Sequence, residues 1–241
     1  MALIPIDNVG ETGIVKDINP WQLPPNVWSE GNNVRSEHGA IQKSPGYLEV
    51  MESCPIDPYY ITNLEAGAAS YWIVAGATET GTATSKIYVW AGSDWTDITR
   101  ASGGDYSATA KENWTSTVIG GILIMANGYD DPQFWALNAS GLPSTSTKMA
   151  DLTNWTASHE CFSIRAFRSF LIALNVTKSS VNYPNLVKWS TEAATQTVPG
   201  SWDETDATVD AGEYALEDSK GKILDGLPLG DTFMIYKEDS T

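Results

Sequence analysis

Residues 121–135 read GILIMANGYDDPQFW. The run Gly121-Ile122-Leu123-Ile124-Met125 suits a strand buried on both faces, Asn127-Gly128 is a reversal signal, and Pro132-Gln133-Phe134-Trp135 returns as a second strand ending in tryptophan. The same scheme lies on either side. Upstream, Tyr71-Trp72-Ile73-Val74-Ala75 leads through a Gly/Thr loop to Lys86-Ile87-Tyr88-Val89-Trp90 and the turn Gly92-Ser93-Asp94-Trp95. Downstream, Phe170-Leu171-Ile172-Ala173-Leu174 leads through a loop to Tyr183-Pro184 and then Leu186-Val187-Lys188-Trp189, and a further unit begins at Thr232-Phe233-Met234-Ile235-Tyr236. A spacing of about 50 residues between the strand-ending tryptophans matches the longer propeller-blade repeats. The expectation is an all-β, β-propeller-like fold of four-stranded blades, with Trp90, Trp135 and Trp189 filling the wedges between them. The alternative is a β-sandwich whose core holds unrelated tryptophans. The last strand lacks a following partner, so a partial propeller is expected, either continuing past Thr241 or completed by another chain.

Two regions are expected: 1–58, an extended segment and hairpin joining the sheet, and 59–241, the blades. Pro20, Pro24 and Pro25 hold the first part extended, and Trp21 and Trp28 serve as anchors on a neighbouring surface. Val34 and Arg35 begin a strand, Glu37-His38-Gly39 turn it, and Ile41 to Lys43 return.

Charged residues make up 18% of the 241, and 30 acidic against 14 basic side chains leave a formal charge of −16. That charge argues against gripping nucleic acid through its phosphates, while an acidic channel wall would let DNA slide. Cys54 and Cys161 lie outside any metal-ligand spacing and are expected as reduced, partly buried thiols, with a single disulfide as the alternative. Residues 1–10 lack a basic segment followed by an apolar run, and no stretch is long enough to cross a bilayer, so a protein made and kept in a cytoplasm is expected. The triplets at Asn113, Asn138, Asn154 and Asn175 read as Asn-rich turns rather than glycan acceptors.

Catalytic chemistry has little to work with. Only His38 and His159 are present. His159 and Cys161 would share a strand face without Glu160, and no phosphate loop, His-Glu-x-x-His helix or nucleophile elbow occurs. The acidic stretch from Asp203 through Glu213 could offer oxygens to Ca²⁺ but lacks a calcium-loop spacing and reads as a solvated loop. The sequence therefore predicts a non-enzymatic chain, with no catalytic, cofactor or metal residues and no cofactor. Two other readings stay open: a host-glycan recognition module using Trp95, Trp114 or Trp155, and a glycan hydrolase, although the Ser-x-Asp-x-Gly-x-x-Trp box of one propeller class is missing.

Taken in succession, KDINPWQLPPNVWSEGNNVRSEHGAIQKSPGY, ILIMANGYDDPQFW, IRAFRSFLIALNV, YPNLVKWS, VPGSWDETDATVDAGEYALED and LPLGDTFMIYKEDS resemble the propeller-type tail tubular or nozzle proteins of short-tailed bacteriophages, also called DNA-stabilisation proteins. The resemblance implies a structural virion protein of the tail, assembled in the host bacterial cytoplasm. Its partners would be copies of itself in a ring, commonly a hexamer, portal and adaptor proteins above, and tail fibre, spike or needle proteins. Genomic DNA would be retained and then passed without sequence specificity, and no membrane insertion is implied. The family has no shared catalytic motif to carry over.

Overall fold

The computed structural model describes residues 8–77, 84–107 and 114–239. It is an all-β, β-propeller-like chain. Three four-stranded antiparallel meanders follow one another: β3 (Asp57–Ala66) to β6 (Trp95–Asp97) through β4 (Ala69–Ala77) and β5 (Ser85–Trp90); β7 (Thr115–Ile119) to β10 (Met149–Asp151) through β8 (Ile122–Ala126) and β9 (Gln133–Trp135); and β11 (His159–Phe167) to β14 (Gly212–Ala215) through β12 (Phe170–Lys178) and β13 (Val181–Trp189). A two-stranded sheet follows, β15 (Ile223–Leu229) with β16 (Thr232–Lys237).

Residues 1–50 and 51–241 form two compact units. In the first, β1 (Val34–Glu37) pairs with β2 (Ala40–Lys43) around His38 and Gly39, both at positive φ (51° and 77°), as a two-residue hairpin turn requires. The hairpin lies where the sequence put it. Among the described residues β1 and β2 bond to each other and form a sheet of two. A three-residue 3-10 turn, Pro20–Gln22, is capped by the Asn19 side chain.

What makes the meanders a stack is the alternation of side chains along their second strands. Successive residues of a strand point to opposite faces. On β8, Leu123 and Met125 pack into a core with Ile73, Ala75, Ile87 and Val89 of the preceding sheet, while Ile122, Ile124 and Ala126 pack into another with Leu171, Ala173 and Val176 of the following one. On β12, Ile172 and Leu174 turn the other way and meet Ile223, Phe233 and Ile235. Each middle sheet therefore buries both faces, which explains the uninterrupted apolar runs of β8 and β12.

Of the three strand-ending tryptophans, Trp90 and Trp135 occupy corresponding faces of their sheets, and Trp189 departs from the repeat. Trp135 enters the core between the first and second sheets, edge-on to Tyr71 at 5.4 Å. Trp90 pairs with Trp72 and leans on Trp95 at 5.5 Å on the opposite face of the first sheet. Trp189 stands opposite Ile172 and packs with it toward the fourth sheet; beyond Leu174 the register shifts, with Asn175 at φ 55° facing three residues of β13, Pro184 to Leu186. The same irregularity accommodates Pro184 within β13. A Cβ on Gly212 would stand 2.5 Å from Cζ2 of Trp189, whose Nε1 donates to the Asp210 carbonyl at 2.8 Å and so fixes the ring. Gly212→Ala is expected to cost about 1–3 kcal/mol, read as a lower urea midpoint with an unchanged slope.

Candidate functional site

The first strands of successive sheets, β3, β7, β11 and β15, carry polar side chains that meet along a seam. Tyr60 Oη lies 2.9 Å from Ser116 Oγ, which donates to Thr62 Oγ1 at 3.1 Å. The backbone amides of Ile164 and Ala166 donate to Thr115 Oγ1 and Thr117 Oγ1 at 3.3 and 2.9 Å. Arg165 ties three strands: Nη1 donates to the Ser116 carbonyl at 2.6 Å, while Nε and Nη2 grip both oxygens of Asp225 at 2.8 and 2.6 Å. Ser163 Oγ and the Gly226 amide complete the shell of Asp225 at 2.7 and 2.8 Å.

Burial raises the proton affinity of Asp225, but these donors outweigh it and hold the carboxyl below its ordinary value of 3.8. A depressed folded pKa means stabilisation that is present above the ordinary value and lost as pH falls through the folded one. Asp225→Asn should therefore lower stability at pH 7 by about 1–2 kcal/mol, discounted for partial exposure, and the gap to the parent should close below about pH 4 in denaturant titrations.

A second cluster gathers at the ends of the first two sheets. Arg100 bonds Asp130 at 2.9 Å and Asp151 at 3.5 Å, donates to the carbonyls of Gly103, Gly104 and Asp105, and lies 4.8 Å over the Tyr106 ring. Asn127, the turn residue of the opening motif, uses its Oδ1 to hold the amides of Tyr129 and Asp130 and its Nδ2 to bond Asp130 at 2.9 Å. Beside them, burial and then Asp151 push the Asp131 carboxyl up, and burial and then Asp131 do the same to Glu160. Sequence reading gave the Asp130-Asp131 pair no role. Its convergence with Arg100, Asp151 and Glu160 depends on segments distant in sequence and left no local signal.

A third network lies beneath the acidic loop. Lys188 is 0% exposed, bonded to Glu204 and 3.6 Å from Glu213; Lys178 bonds Glu213 and lies 3.7 Å from Glu204. Asp203 and Asp206 instead accept from Thr205 and Thr208 within their own turns. Asp203, Glu204, Asp206 and Glu213 are thus engaged in ion pairs or turns, and no group of three or more His, Cys, Asp or Glu among the described residues is arranged to hold a metal. Burial, then Lys188 and Lys178, hold His159 below its ordinary value, while burial pushes the neighbouring Cys161 thiol up, so this pair is unsuited to form a thiolate nucleophile at neutral pH. His38 is exposed at its turn, and Cys54 and Cys161 are free thiols.

Of the tryptophans considered for sugar stacking, Trp114 and Trp155 are buried in the two inter-sheet cores, and Trp95 donates its Nε1 to the Glu52 carbonyl at 2.9 Å. Buried rings offer a sugar no face. Asn138 and Asn154 lie at turns, the latter at positive φ, whereas Asn175 stands inside β12 at its register shift, also at positive φ, contrary to the turn reading; Asn113 and part of the Gly/Thr loop lie outside the described residues. No helix among the described residues is long and apolar enough to cross a membrane.

Neither a family model nor a curated protein matches the sequence. Among solved structures the chain is similar to the GH43 endo-arabinanase from Bacillus licheniformis, at 10% identity and a TM-score of 0.36, over 74% of this chain and 68% of that one. That structure is an enzyme. The non-enzymatic expectation is corrected on this finding, and the exclusion is withdrawn.

Proposed function

We propose that this chain is a structural subunit of a short-tailed phage tail, one copy of a ring, hexameric as the family resemblance implies, that surrounds the exit path of the genome. The observation that carries the reading is the state of the first unit. From residue 8 to residue 50 no large apolar side chain is buried, and Trp21 is 92% and Leu48 86% exposed. A segment of this size rarely supports itself without a core, and exposed tryptophan and leucine mark surfaces that meet other proteins. The six segments that resemble tail nozzle proteins support the same reading. So does the charge of −16, which suits a conduit that DNA traverses without adhering.

In this reading the ring sits below portal and adaptor proteins, contacts fibre, spike or needle proteins, and retains packaged DNA until those neighbours move. Immunogold labelling of intact virions carrying the chain is expected to mark the tail vertex. Label spread over the capsid, or found only on cell debris, would count against the proposal.

A second reading rests on Asp131 and Glu160. Carboxyls of raised proton affinity beside an arginine-held pair are what acid–base hydrolysis of host-envelope glycans would use. It requires turnover of such glycans that is lost in Asp131→Asn; its absence would remove this reading and leave the first untouched.

A further inference from the structure

Between the β10–β11 turn and the β13–β14 loop lies a cavity of about 370 Å³, a size that suits a small ligand. Trp202 is its most deeply set lining residue, 1% exposed, and its Nε1 meets no acceptor among the described residues. A buried N–H without a partner is costly, and native chains keep few of them. The neighbouring indole is satisfied, because Trp155 Nε1 donates to the His159 carbonyl at 2.6 Å. We propose that this cavity binds one saccharide unit, a neutral ligand rich in hydroxyls, one of which accepts from Trp202 Nε1. The site stands apart from both readings above: neither the ring nor the Asp131–Glu160 pair enters it.

The walls are held by the chain itself. Thr191 and Ser201 exchange two bonds, the Thr191 amide donating to the Ser201 carbonyl at 2.9 Å and the Ser201 amide to Thr191 Oγ1 at 3.0 Å. Ser201 Oγ then accepts from the Asp203 amide at 3.1 Å, and Asp203 Oδ1 accepts from the amide and hydroxyl of Thr205 at 2.9 and 2.7 Å. Across the cavity, the Trp155 amide donates to the Leu152 carbonyl at 3.1 Å and the His159 amide to the Thr156 carbonyl at 3.2 Å, fixing the turn that carries Asn154 and Thr156. The edge-on contact of Trp155 with Trp202 at 4.6 Å joins the two walls. Such a pre-formed site loses little entropy on binding.

The lining chooses among ligand chemistries. Asp203 and Glu204 contribute two carboxylates, while Lys188 and Lys178 are committed to Glu204 and Glu213, so an anion meets repulsion there. An ammonium would suit the carboxylates but has no lone pair to accept from the indole N–H. An apolar group would leave both kinds of partner unmet. A hydroxyl answers both, accepting from Trp202 and donating to a carboxylate or to the Asn154 side-chain oxygen, and Thr156 and Ser201 add hydroxyls of their own to the wall. Because both indole rings are buried, recognition works through hydrogen bonds and not through stacking on a ring face.

The test is NMR of the full-length chain labelled at its indole nitrogens and titrated with the methyl glycosides of glucose, galactose, mannose and rhamnose. At least one glycoside is expected to move the Trp202 indole signal in a saturable way, while sodium acetate and methylammonium chloride leave it in place. Trp202→Phe keeps an aromatic ring and removes the N–H; it identifies the signal and should abolish glycoside binding, read by saturation transfer to the sugar. Should that variant fail to fold, Thr156→Val decides: the Trp202 signal still reports, and the dissociation constant should rise about fivefold. A glycoside that binds both variants as it binds the parent would overturn the site. A larger response to acetate or methylammonium than to any glycoside would overturn the ligand class, and a response to N-methylacetamide without one to glycosides would overturn it in favour of a peptide. No response to any probe would leave the indole to water and overturn the proposal, with the ring and hydrolase readings untouched.

Discussion

Trp135→Ala is expected to lower stability by about 3–5 kcal/mol, the usual cost of truncating a fully buried tryptophan. The ring is 1% exposed, donates its Nε1 to the Thr147 carbonyl at 3.2 Å and meets Tyr71 edge-on, so its loss opens a void between two sheets and strands a buried acceptor. In a chain of this size each kcal/mol shifts the melting temperature by about 2–4 °C, so calorimetry should show a fall of roughly 6–20 °C. Trp21→Ala, at an exposed position, should stay within about 0.5 kcal/mol of the parent. Equal effects at the two sites would mean that the sheets do not stack as described.

The other large effect belongs to Lys188→Met. Removing the ammonium leaves Glu204 and Glu213 sharing only Lys178, one charge short, in a place closed to water on the lysine side. Loss of one partner from a buried pair costs about 3–5 kcal/mol. The sign with pH is specific. Burial alone would raise the Glu204 carboxyl, but bonding to Lys188 overrides it and holds the group below its ordinary 4.5. In the parent, that stabilisation is present above the ordinary value and fades as pH falls through the depressed one. In the variant the unpaired carboxylate is relieved by protonation, so the gap should narrow from both sides as pH drops below about 5. Adding Glu204→Gln to Lys188→Met should recover part of the loss at pH 7. A gap independent of pH would show that Lys188 acts by packing its stem alone.

Much of the architecture was legible because it is local. The apolar runs of β4, β8 and β12 announce strands buried on both faces, and Glu37-His38-Gly39 announces its hairpin. The first strands were missed for a physical reason: β3 and β7 are rich in Thr, Tyr, Ser and Asn because one side serves the polar seam, so neither shows a continuous apolar run. The last strands, three or four residues long, are too short to carry a period. Ser179-Ser180 turns β12 into β13 with both residues at positive φ, a role that sequence favours for Asn-Gly, and the segment therefore read as a loop.

The charged clusters were less legible still. Arg100 and Asp130 are thirty residues apart, and Arg165 and Asp225 sixty. Such pairs come together only through the order in which the sheets stack. Trp202, buried edge-on to Trp155 at 4.6 Å, was likewise hidden in an acidic stretch. Trp189 differs from Trp90 and Trp135 because its register sets it opposite Ile172, whose face turns to the fourth sheet, and strand register across a long loop has no local signal.

The most direct measurement is electron cryomicroscopy of the tail vertex of virions carrying this chain, with the chain located in the density. The account expects a closed ring of identical copies around the DNA path, with the sheet stack of β3 through β16 recognisable in each. Density placing the chain away from that path, or as isolated copies without ring contacts, would contradict it.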